Sequence, residues 1–322
     1  MRLNSHIIHN GLLTIGILCA FAVPIAAQQT QQPPAASSPT ATSAASPAAD
    51  PRSDSTDTVS VQSDVVFGIQ GGEKLLLDIY QPTAAATAPR PAVILIHGGG
   101  WSSLDKSTMR TMANFLARSG FVAVSVNYRL FNGTQNQWPA QLDDVQRAVR
   151  WMRANSAKYN IDANHIGAFG HSAGAQLAAL LGMEDTRDNS DPALAKYSSK
   201  VQAVVDVSGP TDFLSNRDAE GKSAMADLFG GDEAKLPEVW RSASPVFQVT
   251  KSTAPFLIIH GTSDDMVPIA QAQELNDKLQ KDGVPVTFLK FDEGHTFVAP
   301  ESRRRLALES LSFYAHYLAG TR

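Results

Sequence analysis

Short apolar runs alternate with amphipathic stretches along most of this 322-residue chain. Continuous apolar runs such as AVILIH (92–97) and FVAVSVNY (121–128) are typical of strands that are covered on both faces of a sheet. Segments such as QLDDVQRAVRWMRANSAKY (141–159) repeat apolar residues at three- and four-residue steps, which predicts helices with one buried face. The pattern therefore predicts an α/β fold.

The order of the predicted elements indicates how the sheet is built. Two opening strands at 61–69 and 74–80, separated by Gly71 and Gly72, favour a hairpin. Six later strands alternate with helices, which predicts an eight-stranded, mostly parallel sheet with helices on both faces. These strands are 92–97, 121–128, 165–170, 201–209, 255–261 and 286–291, and the helices are about 105–119, 141–159, 173–182, 269–281 and 302–319. Ligands bind at the carboxyl ends of strands in such sheets, so the residues that follow each strand are the candidates for chemistry.

The first 58 residues lack this alternation. Residues 1–27 contain Arg2 as their only formal charge and an apolar core at 11–25, which predicts an export signal and a secreted or periplasmic protein. That core is shorter than the about 20 residues of a membrane span, although an uncleaved anchor is the alternative. Residues 28–58 are rich in Gln, Pro, Ala, Ser and Thr and predict a disordered linker, which leaves 59–322 for one folded domain.

Composition and charge narrow the possible partners. The formal net charge is −4 without a basic block, so nothing points to a nucleic-acid partner. The single cysteine, Cys19, excludes an internal disulfide and a cysteine-based zinc site. The run RRR at 303–305 is interpreted as a solvated helix face. The sequence does not indicate an oligomeric state.

The pentapeptide GHSAG at 170–174 joins a predicted strand to a predicted helix. This is the context of a nucleophile elbow, a tight turn whose glycines allow a serine to stand above the sheet. A capping serine in a glycine turn would explain the pentapeptide by itself, but the strand-to-helix context favours Ser172 as a nucleophile.

A serine nucleophile needs a base and an acid, which follow it in the chain order serine, acid, histidine. Of the eight histidines, His295 in DEGHTF lies just after the final predicted strand, whereas His316 lies deep in the last predicted helix, so we expect His295 to be the base. The preceding strand ends in HGTSDDMVP, where Asp264 or Asp265 can orient the imidazole ring. Asp206 and Asp212 are the fallback acids, although structural roles explain them more simply.

The sequence HGGGW at 97–101 follows the third predicted strand. Its glycines leave room for backbone N–H groups to approach a negatively charged oxygen, and the N–H of Ala173 would add to them. We therefore expect an oxyanion hole formed by this loop and the start of the helix after Ser172. His97 is expected to be structural and to hold the loop by hydrogen bonds.

Together, HGGGW, GHSAG, HGTSDDMVP and EGHTF resemble the α/β-hydrolase superfamily. Over nearly all of residues 61–319, the chain is similar to secreted carboxylesterases of the acetyl-xylan/feruloyl-esterase and hormone-sensitive-lipase-like groups. The resemblance implies the α/β-hydrolase fold, a nucleophile at Ser172, a base at His295 and, as the first aspartate of the HGxxDxxVP pattern, an acid at Asp264. It further implies oxyanion donors at Gly99, Gly100 and Ala173, with Trp101 as an alternative to one glycine.

The sequence departs from the hormone-sensitive-lipase-like pattern in one respect. No helical cap precedes HGGGW, and the room for a lid is a short, polar insertion at 211–254. We infer an open cleft, in which Phe213, Phe229 and Trp240 either line the cleft or form local core.

These inferences predict a secreted serine esterase that needs no metal or organic cofactor. Its expected substrates are small-molecule or polysaccharide-linked esters, such as acetyl or feruloyl groups on plant polysaccharide, by analogy with the resembling groups. The alternatives are a broad small-acyl carboxylesterase or lipase, a serine peptidase or amidase, and a non-catalytic binding protein on a hydrolase scaffold. We expect no contact with a membrane beyond the export signal.

Overall fold

A computed structural model of the chain describes residues 58–186, 191–215 and 219–320. The predicted export signal at 1–27 and the predicted linker at 28–58, apart from its last residue, lie outside these described residues. Within them, none of the helices combines the length and the apolar character that crossing a membrane requires.

Eight strands form one sheet in the order β1-β2-β4-β3-β5-β6-β7-β8. The strands are β1 (Val59–Gln70), β2 (Glu73–Pro82), β3 (Arg90–Ile96), β4 (Val122–Val126), β5 (Ile161–His171), β6 (Ala203–Val207), β7 (Phe256–Gly261) and β8 (Val286–Phe291). Strand β2 runs antiparallel to β1 and β4, and the other neighbouring strands are parallel. The predicted eight-stranded, mostly parallel sheet is therefore confirmed.

Helices cover both faces of this sheet. They are α1 (Arg110–Arg118), α2 (Ala140–Ala154), α3 (Ala173–Met183), α4 (Ala219–Phe229), α5 (Pro237–Ala243), α6 (Ile269–Lys281) and α7 (Pro300–Tyr317). The helix predicted at 141–159 ends five residues early, at Ala154. Asn155 and Ser156 follow it, and such side chains compete with the helix for backbone hydrogen bonds.

The continuous apolar runs arise because successive side chains of a buried strand enter two different cores. In β3, Ile94 and Ile96 pack into the core that contains residues of α2 and α3. Val93 and Leu95 pack into the core that contains residues of α1 and α7. Both sets are fully buried, which explains why this strand shows no polar alternation.

Three aromatic residues of the 211–254 insertion form local core. Phe213, Phe229 and Trp240 are each at most 3% exposed. The ring of Phe229 packs edge-to-face against Phe213 at 5.2 Å and against Trp240 at 5.0 Å between centroids. Of the two roles considered for these residues, the structure therefore selects packing.

The order of the strands places two glycine-rich loops side by side. The chain passes from β3 through α1 to β4 on one side of β3, and then through α2 to β5 on the other side. The loops after β3 and β5 therefore diverge at a switch point in the sheet, where α/β proteins bind their ligands. These loops carry HGGGW and GHSAG.

Candidate active site

Ser172 occupies a sharp turn between the end of β5 and the start of α3. Its backbone angles, φ 54° and ψ −122°, lie outside the regions that serine normally adopts. A Cβ atom at Gly170 would lie 2.1 Å from the Gly174 oxygen, and one at Gly174 would lie 2.2 Å from the Ile96 oxygen. Only glycine at both positions allows α3 to turn back this closely onto β5 and β3.

Three side chains from separate loops form a hydrogen-bonded chain. The Oγ of Ser172 lies 2.8 Å from Nε2 of His295, which follows β8. The Nδ1 of His295 lies 2.9 Å from Oδ2 and 3.1 Å from Oδ1 of Asp264, which follows β7. The structure thus brings together the predicted nucleophile, base and first-choice acid, whereas Asp265 is exposed. This arrangement suits proton transfer from the hydroxyl to the imidazole and stabilisation of the resulting imidazolium.

The carboxylate of Asp264 is completely buried and is held in its charged form. Burial opposes ionisation, but the hydrogen bond from the Val267 N–H and the contacts with His295 and His260 outweigh it, so the pKa of Asp264 lies below its usual value. The N–H groups of Met266 and Val267 donate to Oδ1 at 3.0 and 2.8 Å. The acid is therefore a fixed anion beside the histidine.

His171 contacts the loop that carries His295, and sequence reasoning did not identify it. Its Nε2 lies 3.1 Å from the backbone oxygen of His295, and the two rings lie 5.3 Å apart. Burial lowers the pKa of His171, so the ring is neutral at pH 7. Because a carbonyl only accepts, Nε2 carries the proton and donates it. These residues are 124 positions apart, so no local pattern signals the contact.

The HGGGW loop contains three consecutive residues in the left-handed region, with φ values of 99° at Gly99, 59° at Gly100 and 59° at Trp101. A Cβ at Gly99 would lie 2.2 Å from the Ser103 oxygen, so this tight turn requires glycine. Trp101 is bulky and therefore strained in this conformation. Its Nε1 donates to Oε1 of Gln176 in α3 at 3.1 Å, which fixes the loop to the helix behind Ser172.

The same loop approaches the serine directly. A Cβ at Gly98 would lie 3.2 Å from the Cβ of Ser172, so the loop and the turn are in contact. Ala173 is the first residue of α3, so its N–H has no hydrogen-bond acceptor within that helix. As expected for a structural residue, His97 stacks on Tyr128 at 4.2 Å, and the Tyr128 hydroxyl donates to the His97 oxygen at 3.0 Å.

The fallback acids make local contacts instead. Asp206 lies at the carboxyl end of β6, where Oδ1 accepts from the Gly209 N–H at 3.0 Å. Its Oδ2 finds no hydrogen-bond partner among the described residues, and burial raises the pKa of Asp206 to about 7. Asp212 accepts from the Leu214 N–H at 2.7 Å. Asp206 and Asp212 therefore have structural roles, which is the simpler explanation that the sequence favours.

Comparison with known proteins places this chain in a family. The BD-FAE family profile matches residues 77–279, which is more than half of the chain. This chain belongs to the BD-FAE family.

Two relatives of this BD-FAE family member are mycobacterial proteins. It is 32% identical to Esterase LipC of Mycobacterium tuberculosis, over 64% of this chain and 52% of LipC. It is 30% identical to Esterase LipQ of the same organism, over 81% of this chain and 63% of LipQ. The chain therefore spans less than two thirds of the length of these relatives.

A solved structure extends the comparison to the fold of this BD-FAE family member. A truncated carbohydrate esterase from gut microbiota is 28% identical to it, with a TM-score of 0.69, covering 82% of this chain and 98% of that chain. The predicted resemblance to α/β-hydrolase carboxylesterases and the predicted α/β-hydrolase fold are confirmed.

Proposed function

We propose that this protein is a serine esterase that hydrolyses carboxylic esters with Ser172, His295 and Asp264. The observation that carries the proposal is the continuous chain of short contacts, 2.8 Å from serine to imidazole and 2.9 Å from imidazole to carboxylate. The relatives and the structural neighbour that are named esterases support the same reaction.

The reaction follows from the positions of these groups. The Oγ of Ser172 attacks the ester carbonyl while Nε2 of His295 takes its proton, and the Asp264 carboxylate stabilises the imidazolium. The imidazolium then protonates the leaving alcohol. A water molecule, activated by the same histidine, hydrolyses the acyl-enzyme and regenerates the serine.

Backbone N–H groups would stabilise the oxygen that becomes negative in each tetrahedral intermediate. The proposed donors are Gly99, Gly100 and Ala173, with Trp101 as the alternative to one glycine. Support comes from the contact between this loop and Ser172, and from the position of Ala173 at the start of α3. Fixed donors of this kind are usually the largest single contribution to catalysis of acyl transfer.

The proposed substrates are acetyl or feruloyl esters carried by plant polysaccharide. The structural neighbour that is named a carbohydrate esterase supports this choice. The relatives named simply esterases favour a second candidate, a broad carboxylesterase for small acyl groups.

Hydrolysis assays separate these possibilities. The panel contains p-nitrophenyl acetate, longer p-nitrophenyl esters, acetylated xylan, methyl ferulate and a peptide p-nitroanilide. Turnover of acetylated xylan or methyl ferulate at rates above those of the simple esters supports the polysaccharide substrate, and the opposite order supports the broad esterase. Cleavage of the peptide alone would indicate a peptidase or amidase. Correctly folded protein that turns over nothing would indicate a binding protein.

We also propose that the protein acts outside the cytoplasm, because residues 1–27 have the pattern of an export signal. Sequencing the N-terminus of the protein isolated from the periplasm or medium tests this. A mature N-terminus near residue 28 is expected. Full-length protein confined to the cytoplasm would contradict the proposal.

A further inference from the structure

A cleft of about 540 Å³ lies between α1, α7 and the loop after β8. Its walls are largely apolar and include Met112 and Phe115 of α1 and Phe297 of the loop. This volume is typical of sites that hold a small molecule. His171 lines the cleft, but Ser172 and His295 do not line it in the described part of the chain. The cleft is thus adjacent to the proposed catalytic groups and distinct from them.

The three consecutive arginines of α7 differ in their contact with this cleft. Arg303 and Arg304 line it, whereas Arg305 does not. Arg305 packs over the ring of Phe291 at 4.6 Å and lies 3.6 Å from Glu309. Arg304 lies 3.9 Å from the exposed Glu301, which is a weak pairing. All three side chains are exposed, as a solvated helix face requires, and Arg303 and Arg304 in addition line the cleft.

We propose that this cleft is a second binding site, for a small molecule with an apolar body and one carboxylate. The apolar walls would cover the body of the ligand. The guanidinium groups of Arg303 and Arg304 would bind the carboxylate, since guanidinium presents a planar set of donors that matches two carboxylate oxygens. The proposal does not rest on the proposed ester hydrolysis.

Calorimetric titration of the full-length Ser172→Ala protein tests the site without turnover. The probes are octanoate, 1-octanol and acetate. We expect octanoate to bind at one site per chain, octanol to bind about fivefold more weakly, and acetate not to bind. Equal affinity for octanoate and octanol, or absence of octanoate binding, would overturn the proposal.

Paired variants locate the binding. The double variant R303A/R304A should weaken octanoate binding about fivefold and leave octanol binding unchanged, while R305A should change neither. Ala307 lines the cleft, so Ala307→Trp should abolish binding of both probes. Ala315→Trp, on an exposed position of the same helix, is its control and should bind both. Octanoate binding that persists in A307W, or that R305A weakens as much as the double variant does, would overturn the site.

Kinetics of the wild-type protein distinguish this site from the catalytic one. With p-nitrophenyl acetate as substrate, octanoate should lower kcat without raising KM, because it contacts His171 while the substrate is bound elsewhere. R303A/R304A should relieve this inhibition. Purely competitive inhibition that is unchanged in the double variant would assign octanoate to the catalytic site and refute the proposal.

Discussion

At the scale of single residues, the hydrogen bond to His295 distinguishes two neighbouring aspartates. Asp264 contacts Nδ1 at 2.9 Å, whereas Asp265 is exposed. Asp264→Asn should lower kcat by about 10⁴-fold, because an amide neither fixes the ring tautomer nor stabilises the imidazolium. Asp265→Asn is the matched control and should stay within about twofold of wild type. Steady-state kinetics on p-nitrophenyl acetate measure both, and a larger loss in the control would reverse the assignment of the acid.

His171 should act as a positioning residue for His295. His171→Phe keeps an aromatic ring but removes the Nε2–H that donates to the His295 oxygen. We expect kcat per correctly folded molecule to fall roughly 10- to 100-fold with little change in KM, because the misplaced loop affects the transition state more than substrate binding. His171→Gln, which restores a donor, should recover part of this loss.

A purely structural role for His171 makes a different prediction. Both variants would then lose thermal stability while the folded fraction kept its full kcat. Active-site titration, which counts the chains with a functional nucleophile, separates the two cases when it is combined with thermal melting curves.

Asp206 should make stability depend on pH. Its pKa of about 7 in the folded protein exceeds the value of about 4 in an unfolded chain. The folded protein therefore holds a proton that the unfolded chain releases, so the Asp206 contribution to stability falls as pH rises from about 4 to about 7 and is constant above that.

The side chain introduced by Asp206→Asn cannot ionise, so this variant should not lose the stability that wild type loses as pH rises. Relative to wild type, its free energy of unfolding should rise by on the order of 4 kcal/mol between pH 4 and pH 8. Urea unfolding of both proteins at the two pH values measures the difference. If the free energies of unfolding of the variant and wild type differed by the same amount at both pH values, the pKa of Asp206 would not be raised by folding.

At the scale of elements, the approach of α3 to β3 depends on Gly174. A Cβ there would lie 2.2 Å from the Ile96 oxygen and 2.4 Å from the His97 oxygen. Gly174→Ala should lower the free energy of unfolding by about 1–3 kcal/mol, because backbone must move to accept the methyl group. Gly294→Ala is the control, since its nearest neighbour would be the Ser263 oxygen at 3.8 Å. Equal stability losses in both variants would contradict this explanation of the glycine.

Elements whose signals are local were predicted most accurately. Helix α6 (Ile269–Lys281) and strand β8 (Val286–Phe291) have the predicted bounds, because apolar periodicity and flanking turn residues define both. Helices α4 and α5 were not predicted. Their aromatic residues pack against side chains distant in sequence, such as Phe229 against Trp138, and no short window contains that information.

The residues of the candidate site also divide into those with a local sequence signal and those that depend on distant contacts. GHSAG, HGGGW and DEGHTF are local motifs, so Ser172 and His295 were identifiable from the sequence. The choice of Asp264 over Asp265 needed the resemblance to a family, because the spacing permits either. The contact between His171 and His295 depends on the folded chain alone.

At the scale of the whole molecule, the strand order creates the site. The sequence predicts eight strands, but the apolar runs do not show that β4 lies between β2 and β3. Because β3 and β5 are neighbours whose connections leave in opposite directions, the HGGGW loop and the turn that carries Ser172 meet at the switch point of the sheet. The loops after β7 and β8, at the far side of the sheet, then supply the acid and the base.

Covalent trapping of the nucleophile tests whether Ser172 is the activated serine of this site. The protein is treated with diethyl p-nitrophenyl phosphate, which transfers a phosphoryl group to an activated serine, and its peptides are mapped by mass spectrometry. We expect a single modification, on Ser172, with loss of esterase activity in proportion to labelling, and no modification in Ser172→Ala. Loss of activity with Ser172 unmodified, or with another residue labelled instead, would contradict this assignment.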